Sequence, residues 1–372
     1  MRVIVGHSPR LPNAEWRQIL LGSGLDCTAD DCVSWEQLPV RLGRGDADLV
    51  LVEVAEAAEA AWRALEEAGD LTAAPRMAVG VGGNVELANR ARRLGAVEWL
   101  DQADLRHSLD EALEHGLARG QLRGKRGVVI SVFAPTPGSG GTTVAANVAG
   151  ALAQKHPKDV ALVELATDFG DLAVLLNAEP RHTAEDLCRR WATLDKTCLR
   201  ASLAEHESGL RLLVNAVERS GNAYLDVNAC RRLAILLRMT VGYTVLALDS
   251  RLSDVELEAM RLSDRIVLVI RPDVPAVKRA QRALQQLLTE GLVRDRICVV
   301  VNRYGQSGQL PLAEIEAALG CRATHLIPED PRNVNRAANF GQLLFRQSRL
   351  RKIGRRFAAL AQALNGQPAK QA

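Results

Sequence analysis

The chain has 372 residues, of which 47% are hydrophobic and 24% are charged, a composition typical of globular domains and not of disordered or collagen-like chains. Its length suggests about two domains, and its formal net charge of +3 conceals a strong asymmetry. Residues 1–118 carry 11 basic and 20 acidic side chains, a net charge of −9, whereas residues 119–372 carry 36 basic and 24 acidic side chains, a net charge of +12.

The sequence carries no signal for secretion or for a membrane span. No apolar run reaches the roughly 18–20 residues that cross a bilayer, and the apolar stretch that begins at residue 3 is too short for a signal peptide. The seven cysteines are scattered and form no CxxC pair, which argues against a disulfide framework and against a zinc site. We therefore expect a cytoplasmic protein with reduced thiols.

Short apolar runs alternate with helical patterns over residues 1–118. The predicted strands cover residues 2–5, 47–54, 76–81 and 96–100. The predicted helices cover residues 14–21, 57–68, 85–94 and 108–118. Continuous apolar strands separated by helices are buried on both faces, so we predict a small, doubly wound parallel sheet.

A second series of the same kind follows a linker. Residues 119–126 (RGQLRGKR) are basic, glycine-rich and without apolar periodicity, which is typical of a linker. The second domain is predicted at 127–366, with a polar tail at 367–372. Its predicted strands cover residues 128–133, 160–165, 210–214, 244–249, 265–270 and 297–302, and helical patterns such as 144–154 and 277–288 lie between them. The expected fold class is therefore α/β, with two doubly wound parallel-sheet domains.

The first strand of the second domain is followed by a glycine-rich loop, APTPGSGGTT at 134–143, and then by a helix of small residues. This order is the context of a phosphate-binding loop, whose backbone N–H groups and helix N-terminus hold phosphate oxygens. The motif G-x-x-x-x-G-K-[ST] is incomplete, because Gly141 stands where the lysine belongs. A tight structural connection that binds nothing would have the same sequence.

The segments around and after this loop resemble a known group in order and spacing. They are TTVAANVAGALAQ, DFGDLAVLL, VIRPDVPAVKRAQRAL, VVVNRY and IPEDPRNVNRAANFGQLL. Together they resemble the MinD/ParA, or deviant Walker A, ATPases. With a receiver-like (flavodoxin-like) domain in front, the chain resembles the TadZ/CpaE pilus-assembly proteins. The resemblance implies a receiver-like domain at 1–118 and a MinD/ParA-like P-loop NTPase domain at 127–366.

The resemblance implies ATP and Mg²⁺ as cofactors and a set of nucleotide-binding positions. The resemblance implies that Thr142 and Asp249 hold the metal ion and that Asn302 contacts the adenine edge. For Asp249, at the end of a predicted strand, a solvated acid is the alternative interpretation. The full set is Gly138, Ser139, Gly140, Gly141, Thr142, Thr143, Asp249, Asn302, Arg303 and Pro328.

The same alignment shows that charges of the family are missing. The signature lysine, which in the family reaches the partner's nucleotide across a dimer, is Thr136, and the P-loop lysine is Gly141. At the two aspartate positions of the family's D-x-D pattern, this chain has Glu164 and Ala166. Phosphoryl transfer depends on charge neutralisation, and loss of one such contact costs about 10²–10³-fold in rate. We therefore expect little or no ATP hydrolysis and assign no catalytic residue.

A substitute cation within the loop is excluded by the lysine positions. Only seven lysines occur in the chain, and none lies between Lys125 and Lys155. An arginine from another segment, such as Arg251 or Arg271, is the remaining source of positive charge.

The front domain lacks the groups of a phospho-accepting receiver. Such a domain needs an acidic pair after its first strand, an aspartate after its third and a lysine after its fifth, where this chain has Gly6-His7-Ser8, Glu53 and Gln102. Without the acids and the lysine there is no Mg²⁺ site and no charge partner for a phosphate, so no phosphorylation is expected. Glu53 is interpreted as a solvated strand-end residue, or as a mimic of a permanently charged state. The domain is interpreted as a docking or dimerisation module.

The pattern over residues 343–364 predicts an amphipathic terminal helix. Its apolar stripe consists of Leu350, Ile353, Phe357, Leu360 and Leu364. Its basic residues are Arg346, Arg349, Arg351, Lys352, Arg355 and Arg356. We expect packing on the sheet with a solvated basic face; the alternative is peripheral contact with anionic lipid or an acidic partner. Nucleic acid is disfavoured, because no helix-turn-helix signature is present and aromatic residues make up 3% of the chain.

The resemblance implies a localisation and assembly factor for a Flp-type (Tad) pilus secretion machine at the inner face of the membrane or at the cell pole. It would act as a homodimer and through contacts with pilus and secretion proteins, with nucleotide bound and little turnover. The alternatives are an active MinD/ParA-like ATPase, whose nucleotide state gates dimerisation and positioning on membrane or DNA, and a DNA-partition protein.

Overall fold

The computed structural model describes residues 1–8, 13–23, 25–45, 47–54, 58–118, 127–165, 170–189, 194, 196–215, 226–344 and 352–365. The chain divides into two compact units, one formed by residues 1–126 with 193–198 and the other by residues 127–192 with 199–372. Each unit contains a largely parallel sheet with helices between the strands, so the predicted α/β class is confirmed.

The first unit contains a five-stranded sheet with the order β2-β1-β3-β4-β5, in which all neighbouring strands are parallel. The strands are β1 (Val3–His7), β2 (Cys32–Ser34), β3 (Leu49–Glu53), β4 (Arg76–Gly80) and β5 (Ala96–Asp101). The helices are α1 (Asn13–Gly22), α2 (Leu38–Leu42), α3 (Glu59–Leu71), α4 (Val85–Arg93) and α5 (Leu105–Ala118). The chain reverses its winding direction between β1 and β3, as doubly wound sheets do.

Two short elements of this unit are absent from the sequence prediction. Strand β2 has three residues and helix α2 has five, so neither is long enough to show the periodicity on which the prediction depends. Both are nevertheless held by the core: Cys32 pairs with Val5 of β1, and Leu38 and Leu42 are buried.

The second unit contains an eight-stranded sheet with the order β13-β12-β11-β6-β10-β7-β9-β8. The strands are β6 (Val128–Phe133), β7 (Val160–Glu164), β8 (Ala204–Glu205), β9 (Arg211–Leu213), β10 (Tyr243–Ala247), β11 (Arg265–Ile270), β12 (Ile297–Tyr304) and β13 (His325–Pro328). All neighbours are parallel except β8 and β9. The sheet therefore brings the carboxyl ends of β11, β6 and β10 to one edge.

Helices connect these strands. They are α6 (Gly141–Ala153), α7 (Leu172–Leu175), α8 (Ala184–Arg189), α10 (Val227–Thr240), α11 (Asp254–Leu262), α12 (Val274–Thr289), α13 (Leu312–Leu319), α14 (Pro331–Asn339) and α15 (Lys352–Asn365). Helix α9 (Lys196–Ser202) contributes residues to both units.

The second sheet departs from the sequence prediction at its edges and at one strand end. The short edge strands β8 and β13 are not predicted, and β8 is antiparallel to its neighbour. Strand β10 ends at Ala247. The prediction that Asp249 closes this strand is therefore wrong, and the carboxylate lies on the loop beyond it.

The terminal helix packs as the apolar stripe predicts. Ile353, Phe357, Leu360 and Leu364 are each at most 1% exposed and join the core cluster that contains α6. The basic residues Lys352, Arg355 and Arg356 are exposed. Residues 345–351, which include Leu350 and the other predicted basic positions, lie outside the described residues.

Candidate nucleotide-binding site

The glycine-rich loop joins β6 to α6 at the carboxyl end of a central strand, where open α/β sheets bind ligands. Gly138 and Gly140 have φ angles of +74° and +92°, in the left-handed region that glycine adopts without strain. Gly140 is the N-cap of the 13-residue helix α6 and provides no side-chain cap. The N–H groups of the first helical turn are therefore available to an anion.

Asn302, at the end of β12, holds the loop in place. Its amide Nδ2 donates a hydrogen bond to the carbonyl oxygen of Ser139 at 2.8 Å, and its side chain is buried. A Cβ atom on Gly140 would clash with this amide nitrogen. The close approach therefore requires glycine at position 140.

Two hydroxyl groups of the loop are buried without a hydrogen-bond partner among the described residues. Ser139 is 0% exposed and Thr136 is 9% exposed, and neither hydroxyl oxygen has a partner. An unpaired buried hydroxyl costs about 1–3 kcal/mol. These groups fit a loop that gains hydrogen bonds when an oxygen-rich ligand binds.

The loop leaves little room for a side chain at position 141, where the motif has a lysine. Gly141 is the first residue of α6, and a Cβ atom on it would lie 2.9 Å from the Cβ atom of Ala134. Real Cβ contacts are longer than this, so even the first carbon of a lysine side chain requires Ala134 to move. The packing at Gly141 therefore leaves no room for a side chain unless Ala134 moves.

A pocket of about 180 Å³ lies beside the loop. The start of α6, the end of β12, the turn between β13 and α14, and helix α15 all contribute to it. Its lining residues are Gly140, Thr143, Asn302, Arg303, Pro328, Glu329, Asp330, Pro331, Val334, Asn335, Ile353 and Phe357. The structure thus brings five of the predicted site residues together.

The backbone at the end of β12 shapes this pocket. Arg303 has a φ angle of +55°, which is uncommon for a residue other than glycine. The pairing of β12 with β13 shifts register between Val301 and Tyr304, and Tyr304 then pairs with Pro328. Irregularities of this kind redirect side chains at the ends of strands.

Sequence reasoning missed the acidic part of the pocket. Glu329 and Asp330 line it, and Asp330 is the N-cap of α14, accepting a hydrogen bond from the Asn333 N–H at 3.3 Å. An aspartate followed by proline is a recognisable helix-start signal, so the sequence could have located this residue. Phe357 was assigned to packing alone, and in the structure it also lines the pocket.

Asp249 lies on the loop after β10, the strand next to β6, whose Val132 pairs with Ala247. Its Oδ1 accepts hydrogen bonds from the Arg251 N–H and the Ser250 hydroxyl, both at 3.3 Å. The pocket lining includes neither Asp249 nor Thr142, so their joint role in holding Mg²⁺ stays a prediction. In the part of the chain that the structure describes, no group of three or more His, Cys, Asp or Glu residues could hold a metal ion.

Glu164, at one of the family's D-x-D positions, binds backbone. It ends β7 and is 4% exposed. Its carboxylate accepts hydrogen bonds from the N–H groups of Asn215 at 2.9 Å and Leu172 at 3.3 Å. Burial raises the pKa of this carboxyl group above its usual value, against the effect of these hydrogen bonds. Ala166 lies outside the described residues.

In the first unit, the positions singled out in the sequence meet at the ends of β1, β3 and β5. Glu53 is 7% exposed, so the interpretation as a solvated residue is wrong. Its Oε2 accepts a hydrogen bond from the Ser8 N–H at 2.8 Å, and its Oε1 accepts one from Gln102 Nε2 at 3.3 Å. The carboxylate is therefore held by internal donors.

A glycine loop that leads from a central parallel strand into a helix N-terminus defines the class of P-loop nucleotide-binding folds. The comparisons narrow this class to the MinD/ParA-like P-loop ATPase fold. No family model matches the chain. Over 216 residues the sequence is 24% identical to an uncharacterized ATP-binding protein of Methanocaldococcus jannaschii, an alignment that covers 58% of this chain and 78% of that protein.

Solved structures give the same fold. The cell division ATPase MinD of Pyrococcus furiosus aligns with a TM-score of 0.55 and 22% identity, over 63% of this chain and 97% of that one. MinD of Pyrococcus horikoshii in complex with Mg-ADP aligns with a TM-score of 0.56 and 20% identity, over 64% and 96%. A ParA family ATPase of Chlorobium tepidum aligns with a TM-score of 0.56 and 21% identity, over 65% and 100%. About two thirds of the chain therefore has the MinD/ParA fold.

Among the described helices, none combines the length and the apolar character needed to cross a membrane.

Proposed function

We propose that the protein binds a nucleotide with little or no hydrolysis and acts through protein contacts as a localisation and assembly factor. One observation carries this proposal: the loop keeps its left-handed glycines and its uncapped helix N-terminus, whereas Thr136 and Gly141 replace both lysines of the family. Backbone N–H groups suffice to hold phosphate oxygens. Charge neutralisation in the transition state requires the missing cations.

The relatives support ATP and Mg²⁺ as the cofactors. The protein of M. jannaschii is an ATP-binding protein, and MinD of P. horikoshii is complexed with Mg-ADP. In this chain, residues 138–143 would hold the phosphates, and Thr142 with Asp249 would hold the metal ion. Asn302, Arg303 and Pro328 would contact the base, and these three residues line the pocket from the side of β12 and β13.

The first unit is proposed to be a receiver-like domain without a phosphorylation switch. Its strand order 2-1-3-4-5 is the order of flavodoxin-like sheets. Glu53 occupies the acceptor position and is already held by Ser8 and Gln102. The unit would therefore serve constitutively as a docking or dimerisation module.

The pairing of these two units supports a role like that of the TadZ/CpaE proteins. The protein would form a homodimer and organise a Flp-type pilus secretion machine at the inner face of the membrane or at the cell pole. A complex of MinC with MinD from Aquifex aeolicus is an example of a protein of this fold with a protein partner. The opposite net charges of residues 1–118 and 119–372 favour contacts between unlike surfaces of neighbouring copies.

The biochemical part is tested on the full-length protein by titration with ATP and Mg²⁺ and by a hydrolysis assay, with Asp249→Ala as the variant. We expect binding, and turnover at or near the background rate in both proteins. Turnover that Asp249→Ala abolishes would establish an active ATPase instead. Absence of binding at millimolar nucleotide would reject the nucleotide-binding proposal. Light scattering on the protein as it elutes from a size-exclusion column reports whether it is a dimer.

The cellular part is tested by deleting the gene and counting surface pili. We expect their loss, and recovery when the wild-type protein is supplied. Normal piliation in the deletion strain would contradict the assembly role without affecting the biochemical result.

A further inference from the structure

We propose that Arg271 supplies the phosphate-binding cation that the loop lacks; this inference rests on the proposed nucleotide binding and names a further residue of the same site. Arg271 follows β11 directly. Strand β11 pairs in parallel with β6, with Leu268 opposite Phe133. The carboxyl end of β11 therefore lies beside the start of the glycine loop.

The guanidinium group of Arg271 lies over the loop backbone. Its Nη1 atom is 3.8 Å from the position that a Cβ atom on Gly138 would occupy. Gly138 has no side chain, so the cation has direct access to the turn whose N–H groups would surround a phosphate. In this geometry positive charge reaches the phosphate loop from the neighbouring strand and not from the helix.

Asp273 orients this cation. Arg271 Nε lies 3.0 Å from Asp273 Oδ2, an ion-pair distance without the geometry of a hydrogen bond, and Asp273 is itself fixed as the N-cap of α12 by a hydrogen bond of 3.0 Å from the Ala276 N–H to Oδ1. A guanidinium group has five N–H donors in a planar fork, so one edge can pair with a carboxylate while the other binds a phosphate. The ion pair positions the side chain without using all of its donors.

The surroundings favour a cation from this direction. A lysine at position 141 is opposed by Ala134, and the buried hydroxyls of Thr136 and Ser139 are neutral donors without partners among the described residues. Arg271 and these hydroxyls would together satisfy phosphate oxygens that the family satisfies with lysine.

The test measures the affinity of the full-length protein for Mg-ATP, ADP, AMP and tripolyphosphate by calorimetry, in the wild type, Arg271→Ala, Arg271→Lys and Arg251→Ala. Arg251 is the matched control, because it is an exposed arginine on the loop after the other neighbour of β6. We expect Arg271→Ala to weaken ATP and tripolyphosphate binding by about 10- to 100-fold, the range of a charge-assisted hydrogen bond. We expect a smaller loss for AMP, partial rescue by Arg271→Lys, and wild-type affinity for Arg251→Ala.

The outcomes separate this inference from the proposed function. Wild-type ATP affinity in Arg271→Ala would overturn the role of Arg271 and leave nucleotide binding intact. Tripolyphosphate binding that depends on Arg271, without any binding of ATP, would support the cation and reject the nucleotide. Equal losses for AMP and ATP would assign Arg271 to structure and overturn the inference. Failure of the wild type to bind any of the four probes would overturn both proposals.

Discussion

The side-chain amide of Asn302 and the backbone carbonyl of Ser139 are joined by a hydrogen bond of 2.8 Å across 163 residues of sequence. This bond connects the end of β12 to the phosphate loop and fixes the distance between the two sides of the candidate site. Because Asn302 holds the carbonyl of Ser139, it helps to fix the conformation of the loop.

Gly140→Ala is expected to destabilise the second unit through this contact. The new Cβ atom would clash with Asn302 Nδ2 at a φ angle of +92°, and strain together with overpacking costs about 1–3 kcal/mol. Hydrogen exchange of the amides in α6 and β12, or the calorimetric melting temperature, measures the effect.

Gly308→Ala is the control for Gly140→Ala. Gly308 has a similar φ angle of +72°, but nothing lies within 4 Å of its Cβ position, so this variant reports the backbone strain alone. Asn302→Ala added to Gly140→Ala removes the clashing atom, and we expect the double variant to be more stable than the sum of the single effects predicts. Additive effects would contradict the contact.

Restoring the lysine is expected to require a second substitution. Gly141→Lys places a Cβ atom 2.9 Å from that of Ala134, so we expect a loss of about 1–3 kcal/mol in stability from overpacking. Ala134→Gly combined with Gly141→Lys removes the conflict, and this double variant is expected to bind ATP about tenfold more tightly than Ala134→Gly alone. Thermal unfolding and nucleotide titration measure the two effects. Wild-type stability of Gly141→Lys would show that Ala134 yields freely.

The course of the central strands could be predicted from the sequence. Strands β6 and β11 have the predicted limits, residues 128–133 and 265–270, because apolar residues fill most of their positions, as in strands that are buried on both faces. Short edge strands such as β2 and β13 could not be predicted, since three or four residues show no period. The end of β10 was predicted too late, at Asp249, for a related reason: the apolar run continues through Leu248 although the strand ends at Ala247.

The loop was predicted as a site, but its partners were not. The glycine spacing indicates phosphate binding by itself. Arg271 lies near Gly138 because β11 ends beside the loop, and separate segments of sequence do not show which strands neighbour β6. The hydrogen bonds to Glu53 likewise come from Ser8 and Gln102, which follow other strands.

Glu53→Ala is expected to destabilise the first unit by about 1 kcal/mol, since it removes the acceptor of the half-buried Ser8 N–H and of the exposed Gln102 amide. Glu53→Gln is the matched variant. Its amide oxygen can accept from Ser8 while Gln102 rotates its own amide to accept the new N–H, so we expect nearly wild-type stability. Urea unfolding followed by tryptophan fluorescence reports this unit, because four of the five tryptophans lie in residues 1–118. Equal losses in both variants would show that the charge of Glu53, and not its hydrogen bonds, matters.

Asp31 gives the first unit a pH-dependent stability at the acid end. Its side chain is 0% exposed and pairs with the buried Arg41 and, at 3.2 Å, with Arg2. Burial opposes ionisation, but hydrogen bonds from the side chain and backbone of Thr28 and from both arginines outweigh it and lower the pKa from 3.8 to about 2. A lowered pKa in the folded state means that the ionised form stabilises the fold above the unfolded pKa, and that this contribution disappears as the pH falls towards 2.

Asp31→Asn is therefore expected to cost most at neutral pH and less in acid. At pH 7 the loss includes about 2 kcal/mol from the pKa difference, and more because the buried Arg41 loses its charge partner. Between pH 4 and pH 2 the wild type approaches the variant, since protonation removes the same interaction. Urea unfolding at a series of pH values measures the difference, with Asp30→Asn, an exposed neighbour on the same turn, as the control. A difference between wild type and Asp31→Asn that stays constant down to pH 2 would show that the carboxylate contributes by shape and not by charge.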